Sequence, residues 1–204
     1  MKKIFIVSLL FTIACASSSY KGNDTDKQLV KNLVGTWEGS IYIDDEEIPT
    51  DYQFFESADG VTGNFVEIAY LHEYDGDFDI RYFAYTCGEY SVKDGQLSLT
   101  FIPESAYAEV YDEEVFGSYV SALWDYYHEE GRQILWEDES ELAISVLETF
   151  EAVWAQFSDD RNQEGSNFDQ LTVTENKMSF MVGESTWEFN RANHEWFTGY
   201  PYSE

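Results

Sequence analysis

The sequence predicts a mainly β fold: an antiparallel up-and-down β-barrel of about eight strands, with a two-helix insertion and a short N-terminal helix. Three observations predict it. Runs that alternate apolar and polar residues are separated by Asp59-Gly60, Asp75-Gly76 and Asp94-Gly95, and a Gly-containing pair of this type between such runs is the strongest short-range hairpin signal. The period changes from that of a strand to that of a helix after Pro103 and changes back after Phe168. Finally, Gly35-Thr36-Trp37-Glu38-Gly39 opens the first run, and the runs near the C-terminus can curl back to meet it and close the sheet.

Each element follows in order. Asp24-Thr25-Asp26 supplies capping residue types for a short helix through Leu33, with Leu29, Val30 and Leu33 at helical spacing and Gly35 as its stop. From Thr36 to Ile43, Trp37, Gly39, Ile41 and Ile43 share the core-facing side. Thr50 to Glu56 returns, with Tyr52 and Phe54 on one face. Val61 to Glu73 is the longest strand expected, apolar on both faces, with a bulge expected at Gly63. Phe78 to Cys87 alternates, Gly88 to Val92 leads to the next turn, and Gln96 to Ile102 follows as a clean alternation. Val115 to Tyr127 and Ser140 to Phe157 then repeat apolar residues on one helical face. Together they form an insertion at 104–165, far longer than an ordinary loop and therefore expected to have a role of its own. Ser158 to Phe168 reads as polar linker. Strands resume at Gln170 to Glu175, Met178 to Val182 and Thr186 to Arg191, before an aromatic tail.

Composition limits the partners. The chain has 204 residues, enough for one domain with a real core, and its 18% aromatic content argues that it folds despite its acidity. Lys plus Arg total 11 against 40 for Asp plus Glu, so the net charge is −29. Phosphate backbones are repelled by such a surface, which excludes nucleic acid as a partner. A cationic partner, a divalent cation and simple solubility remain open. No GxSxG, P-loop, GxGxxG or HExxH pattern occurs, and the chain reads as a non-enzyme with no cofactor. Asp75, Asp77 and Asp79 alternate as in calcium loops but lack the glycine and the distal glutamate of an EF-hand, so a solvated turn is the expectation and no metal site is assigned. His72, His128 and His194 lack metal-ligand spacing and read as surface residues. Cys87 reads as a small buried hydrophobe.

The N-terminus gives an address. Lys2 and Lys3 precede the apolar run Ile4 to Ile13, too short to span a bilayer and laid out as a secretory signal peptide. Thr12-Ile13-Ala14-Cys15 resembles the lipobox of bacterial lipoproteins. That resemblance implies cleavage before Cys15, lipid attachment at Cys15 and a membrane anchor, with Ala16 resembling the signal for the outer membrane. An ordinary signal sequence in which Cys15 is incidental is the other reading. The expected divisions are a signal peptide at 1–14, a lipidated tether at 15–23 and a barrel domain at 24–204, held at the outer membrane or its periplasmic face.

A Gly-x-Trp opening the first strand after a short helix, a hairpin meander, and a last strand ending in Arg191 resemble the lipocalin and wider calycin pattern over about residues 24–102 and 168–192. The chain is more closely similar to the lipocalin-like lipoproteins common in Bacteroidota. The resemblance implies that Trp37 sits at the closed end of the barrel with Arg191 across it, a structural cation–π pair. It also implies a lumen able to hold a small apolar or amphiphilic ligand without covalent chemistry, lined by the inward residues Tyr52, Phe54, Ile68, Tyr70, Ile80 and Tyr82. Over such a lumen the helical insertion is expected to cap the mouth as a lid or to plug the interior; the alternative is a filled barrel whose acidic insertion docks a protein partner.

Overall fold

A computed structural model describes residues 21–43, 46–129 and 135–202; the signal segment, Cys15 and most of the tether lie outside the described residues. Helix α1 (Asp24–Leu33) leads into strands β1 (Gly35–Ile43), β2 (Glu46–Phe54), β3 (Thr62–Asp75), β4 (Phe78–Lys93) and β5 (Gln96–Phe101). A short strand β6 (Tyr107–Val110), helices α2 (Glu113–Glu129) and α3 (Glu139–Glu164), and strands β7 (Asn167–Val173), β8 (Lys177–Val182) and β9 (Ser185–Arg191) follow. Eight strands close into an antiparallel ring in the order β1-β2-β3-β4-β5-β7-β8-β9, sealed where Trp37 pairs with Arg191 and Glu38 with Asn190. The ninth, β6, adds to the first half of β4 through Tyr82 to Tyr85, while β5 takes the second half from Gly88.

The longest strand is β4, not β3, because it runs without a break through Gly88. There the Phe65 ring crosses the backbone so closely that a Cβ would lie 2.4 Å from it, so the glycine makes room for a ring and no turn forms. The bulge expected at Gly63 is absent: β3 and β4 keep one register from Thr62 opposite Ser91 to Asp75 opposite Phe78. Gly63 instead admits the Tyr90 ring, 2.7 Å from where a Cβ would stand. The register shift falls between β7 and β8, at Asp169 to Thr172, where Gln170 adopts φ 55°.

Inward side chains fill the ring. Trp37, Ile41, Tyr52, Phe54, Phe65, Leu97, Phe101, Met178, Phe180 and Phe189 form one buried cluster. Rings from non-adjacent strands touch across the lumen, Tyr52 on Phe189 at 5.4 Å and Phe65 on Phe101 at 5.2 Å. Helix α1 closes one end. Its buried Asp26 accepts hydrogen bonds from the main-chain N–H groups of Asp94 and Gly95, which ties the helix to the β4–β5 turn. The insertion departs from the opposite end of β5. The segment read as polar linker after Phe157 continues helix α3 to Glu164.

Candidate functional site

Three places concentrate specific interactions: the sealed end, the plugged end and one outer face. At the sealed end the Arg191 guanidinium lies 4.1 Å from the Trp37 ring centre. It also donates to the carbonyls of Val34 (2.9 Å), Asn32 (2.6 Å) and Glu175 (2.8 Å), which makes it the C-terminal cap of α1. Trp37 Nε1 donates to the Leu33 carbonyl at 2.7 Å. Gly35 is at φ 119°, and a Cβ there would stand 2.6 Å from Arg191 Nη1. The Gly-x-Trp spacing is therefore explained by backbone conformation and by the path of the guanidinium.

At the other end, α3 directs Phe150, Trp154, Phe157, Ser158 and Arg161 onto the inner surface of the barrel. Tyr82 stacks on Phe150 at 4.3 Å, and the Thr86 and Ser158 hydroxyls meet at 3.2 Å. Asn162 bonds both the N–H and the carbonyl of Phe101. Arg161 makes a two-pronged ion pair with Glu67, at 2.8 and 2.5 Å. The Glu67 side chain is wholly buried and that of Arg161 is 17% exposed. Burial alone would lower the Arg161 pKa, but attraction to Glu67 carries it above the ordinary guanidinium value. Tyr52 donates its hydroxyl to the same carboxylate, and burial together with the Glu67 charge raises its pKa well above the usual phenol range. The guanidinium packs against Phe101 at 3.8 Å and Phe157 at 4.3 Å, while Arg161 Nε and Trp154 Nε1 have no hydrogen-bond partner among the described residues. Glu67 and Arg161 were not identified from sequence. A signal existed: Phe65, Glu67 and Ala69 share a face, and a carboxylate on a buried strand face needs a cation in a chain that has only 11 Lys and Arg.

The six residues expected to line the lumen divide. Tyr52, Phe54 and Tyr82 point inward, within the packed cluster. Ile80 is covered by the insertion, against Phe116, Val120 and Leu142. Ile68 and Tyr70 are on the outer face. Ile68 packs in a separate cluster with Val66 and Cys87, and Tyr70 donates to Asp51 at 3.1 Å and meets Trp196. The correction has a physical cause: β3 is apolar on both sides because the C-terminal segment covers its outer face, so alternation alone does not distinguish inside from outside.

That segment, residues 192–202, crosses β2, β3 and β4 on the outside. Gln53 Oε1 accepts from the N–H groups of Trp196 (2.9 Å) and Phe197 (3.0 Å), and its Nε2 donates to the Phe197 carbonyl at 2.7 Å. Asp51 accepts from Trp196 Nε1 at 2.7 Å, and His194 sits between Asp51 (3.4 Å) and Glu38 (3.3 Å). Burial raises the pKa of the Cys87 thiol beneath the segment. Clefts of about 380 Å³ under the segment, about 540 Å³ beside Tyr70 and Tyr111, and about 530 Å³ between β4 and α2 open on the outside. The cleft beside Tyr70 and Tyr111 reaches Leu71 and Tyr82 at the rim of the barrel, and none of the three is lined by Tyr52, Phe54, Phe65, Glu67, Trp154 or Arg161.

Among the described residues no three His, Cys, Asp or Glu side chains are grouped to hold a metal ion. Asp79 pairs instead with Arg81 at 2.7 Å, and Asp75 accepts from the Tyr119 hydroxyl at 3.1 Å. Compared with known proteins, the chain matches no family model, no curated protein and no solved structure.

Proposed function

We propose that the chain is a non-catalytic binding protein of the cell envelope, exported by its N-terminal apolar run and anchored through lipid on Cys15. Its lipocalin-like barrel serves as a closed scaffold, and its outer faces carry recognition. The plug is the observation that carries this reading. With Arg161 paired to Glu67 and rings touching across the lumen, the inner surface is committed to holding α3, whereas the clefts open outward. The expected lipid mass on protein extracted from membranes tests the anchor; a mature species starting at Cys15 without that increment overturns it. Hydrogen exchange on the full chain with and without a lipophilic probe tests the closed lumen. The reading expects altered protection on an outer face. Protection gained at residues 65–69 and 154–161 alone overturns it in favour of the second reading, a small-ligand carrier with α3 as a lid. The unpartnered Trp154 Nε1 and Arg161 Nε favour that second reading.

A further inference from the structure

We propose that the cleft between the C-terminal segment and the outer faces of β4 and β6 binds a small amphiphilic cation, a flat apolar body with a protonated amine as its head. The inference rests on the reading that recognition lies on the outside of a closed barrel.

The cleft is a built feature. Gln53 and Asp51 occupy outward positions on β2, where a bare barrel would expose them, yet they are only 4% and 3% exposed. Both are buried by the C-terminal segment, and both spend their polar atoms on it. A side-chain amide that pairs with two main-chain N–H groups and one carbonyl fixes the segment in one register, so its far end forms a stable wall. Between that wall and the sheet lies a cleft of about 380 Å³, inside the range of roughly 300–1,000 Å³ typical of small-molecule sites. Val66 and Cys87 form its floor, Phe197 and Tyr202 one side, and Tyr107 the rim.

The polar groups select the head. Ser105 Oγ is committed, accepting from the Cys87 N–H at 2.8 Å and donating to the Ile102 carbonyl at 2.6 Å. The Tyr85 hydroxyl donates to Glu109 Oε2. The charged group in the lining is an exposed carboxylate, Glu109, with Oε1 available to accept, and the phenols of Tyr107 and Tyr202 lie beside it. Beside it the Tyr85 and Tyr107 rings stack at 5.5 Å and 17°, offering the π-faces that a cation prefers. A net charge of −29 raises the local concentration of cations and disfavours anions of the same shape.

Two probes that share a ring and differ in the sign of the head test this on the full-length chain: 1-naphthylmethylammonium and 1-naphthoate. The expected result is saturable binding of the ammonium probe, about tenfold tighter than the carboxylate, which combines a cation–π contact with repulsion of the anion. Glu109→Gln should reduce that preference by weakening the ammonium probe alone, and leave thermal unfolding unchanged. Tyr202→Ala should weaken both probes, and bound ammonium probe should slow alkylation of Cys87. Equal affinity for the two probes, no binding of either, or binding indifferent to both variants overturns the proposal. The site of hydrogen-exchange protection separates the failures. Protection on another outer face overturns this site alone, whereas protection confined to residues 65–69 and 154–161 overturns the closed-scaffold reading as well.

Discussion

Arg191 holds three main-chain carbonyls and covers an indole, so its truncation removes charge-assisted hydrogen bonds and a cation–π contact together. Arg191→Ala is expected to cost about 3 kcal/mol, read as a fall in the urea midpoint at unchanged slope. Arg191→Lys should recover less than half of that loss, because an ammonium cannot serve three divergent acceptors and stack at once. Asp59 gives a pH signature. Burial alone would raise its pKa, but the N–H groups of Val61 and Thr62 and the hydroxyls of Thr62 and Ser57 hold it down from 3.8 to about 2. A carboxyl depressed in the folded state contributes stability that is fully present above its unfolded value and lost as pH falls through about 2. Asp59→Asn should therefore flatten the acid limb of thermal stability measured below pH 4. A steep acid limb that survives in this variant would assign the effect to other carboxylates.

At the scale of elements, α3 decides whether the barrel is a cup or a closed body. Arg161→Met leaves Glu67 buried without its cation and is expected to cost roughly 3–5 kcal/mol. Adding Glu67→Met with Tyr52→Phe should restore more than half of that in chemical denaturation, since an apolar group of similar volume removes both the stranded charge and the hydroxyl that bonded it. The strands and the helical hairpin were legible because alternation, Asp-Gly turns and helical spacing each report on a single element, whereas the pairing of Trp37 with Arg191 came from the resemblance to the lipocalin pattern. The end of α3 was not. Ser158, Arg161 and Asn162 look like linker residues because their polarity is matched by groups distant in sequence, Thr86, Glu67 and Phe101. Short β6 escaped for another reason: four residues give period two too few repeats to register. Ile68 and Tyr70 were misplaced because their cover comes from a tail with no period of its own.

For the whole molecule the dominant quantity is charge. Forty carboxylates against 11 Lys and Arg make the folded state self-repelling, and that repulsion is long-ranged and screened by salt. Thermal unfolding should therefore shift upward between low salt and about 0.5 M sodium chloride, where the Debye length falls well below 10 Å. The increment should be the same in the Arg161→Met variant, since the Glu67 pair is shielded from solvent ions by burial. An increment that disappears with Arg161 would show that the pair, not the surface, carries the salt response.

The seam of the barrel joins its first strand to its last through two residue pairs, Trp37 with Arg191 and Glu38 with Asn190. A chain that emerges N-terminus first, from a ribosome or through a pore, has β1 to β5 in hand long before β9 appears. Until then β1 keeps one edge unpaired and Trp37 lacks its guanidinium cover. Closure, the capping of α1 and the strapping of the outer face all depend on residues 185–202, so they follow the rest of the barrel in one late step. A polypeptide cut short before residue 185 has no native way to satisfy that edge. The position of the seam thus makes the arrival of β9 a condition for a finished barrel.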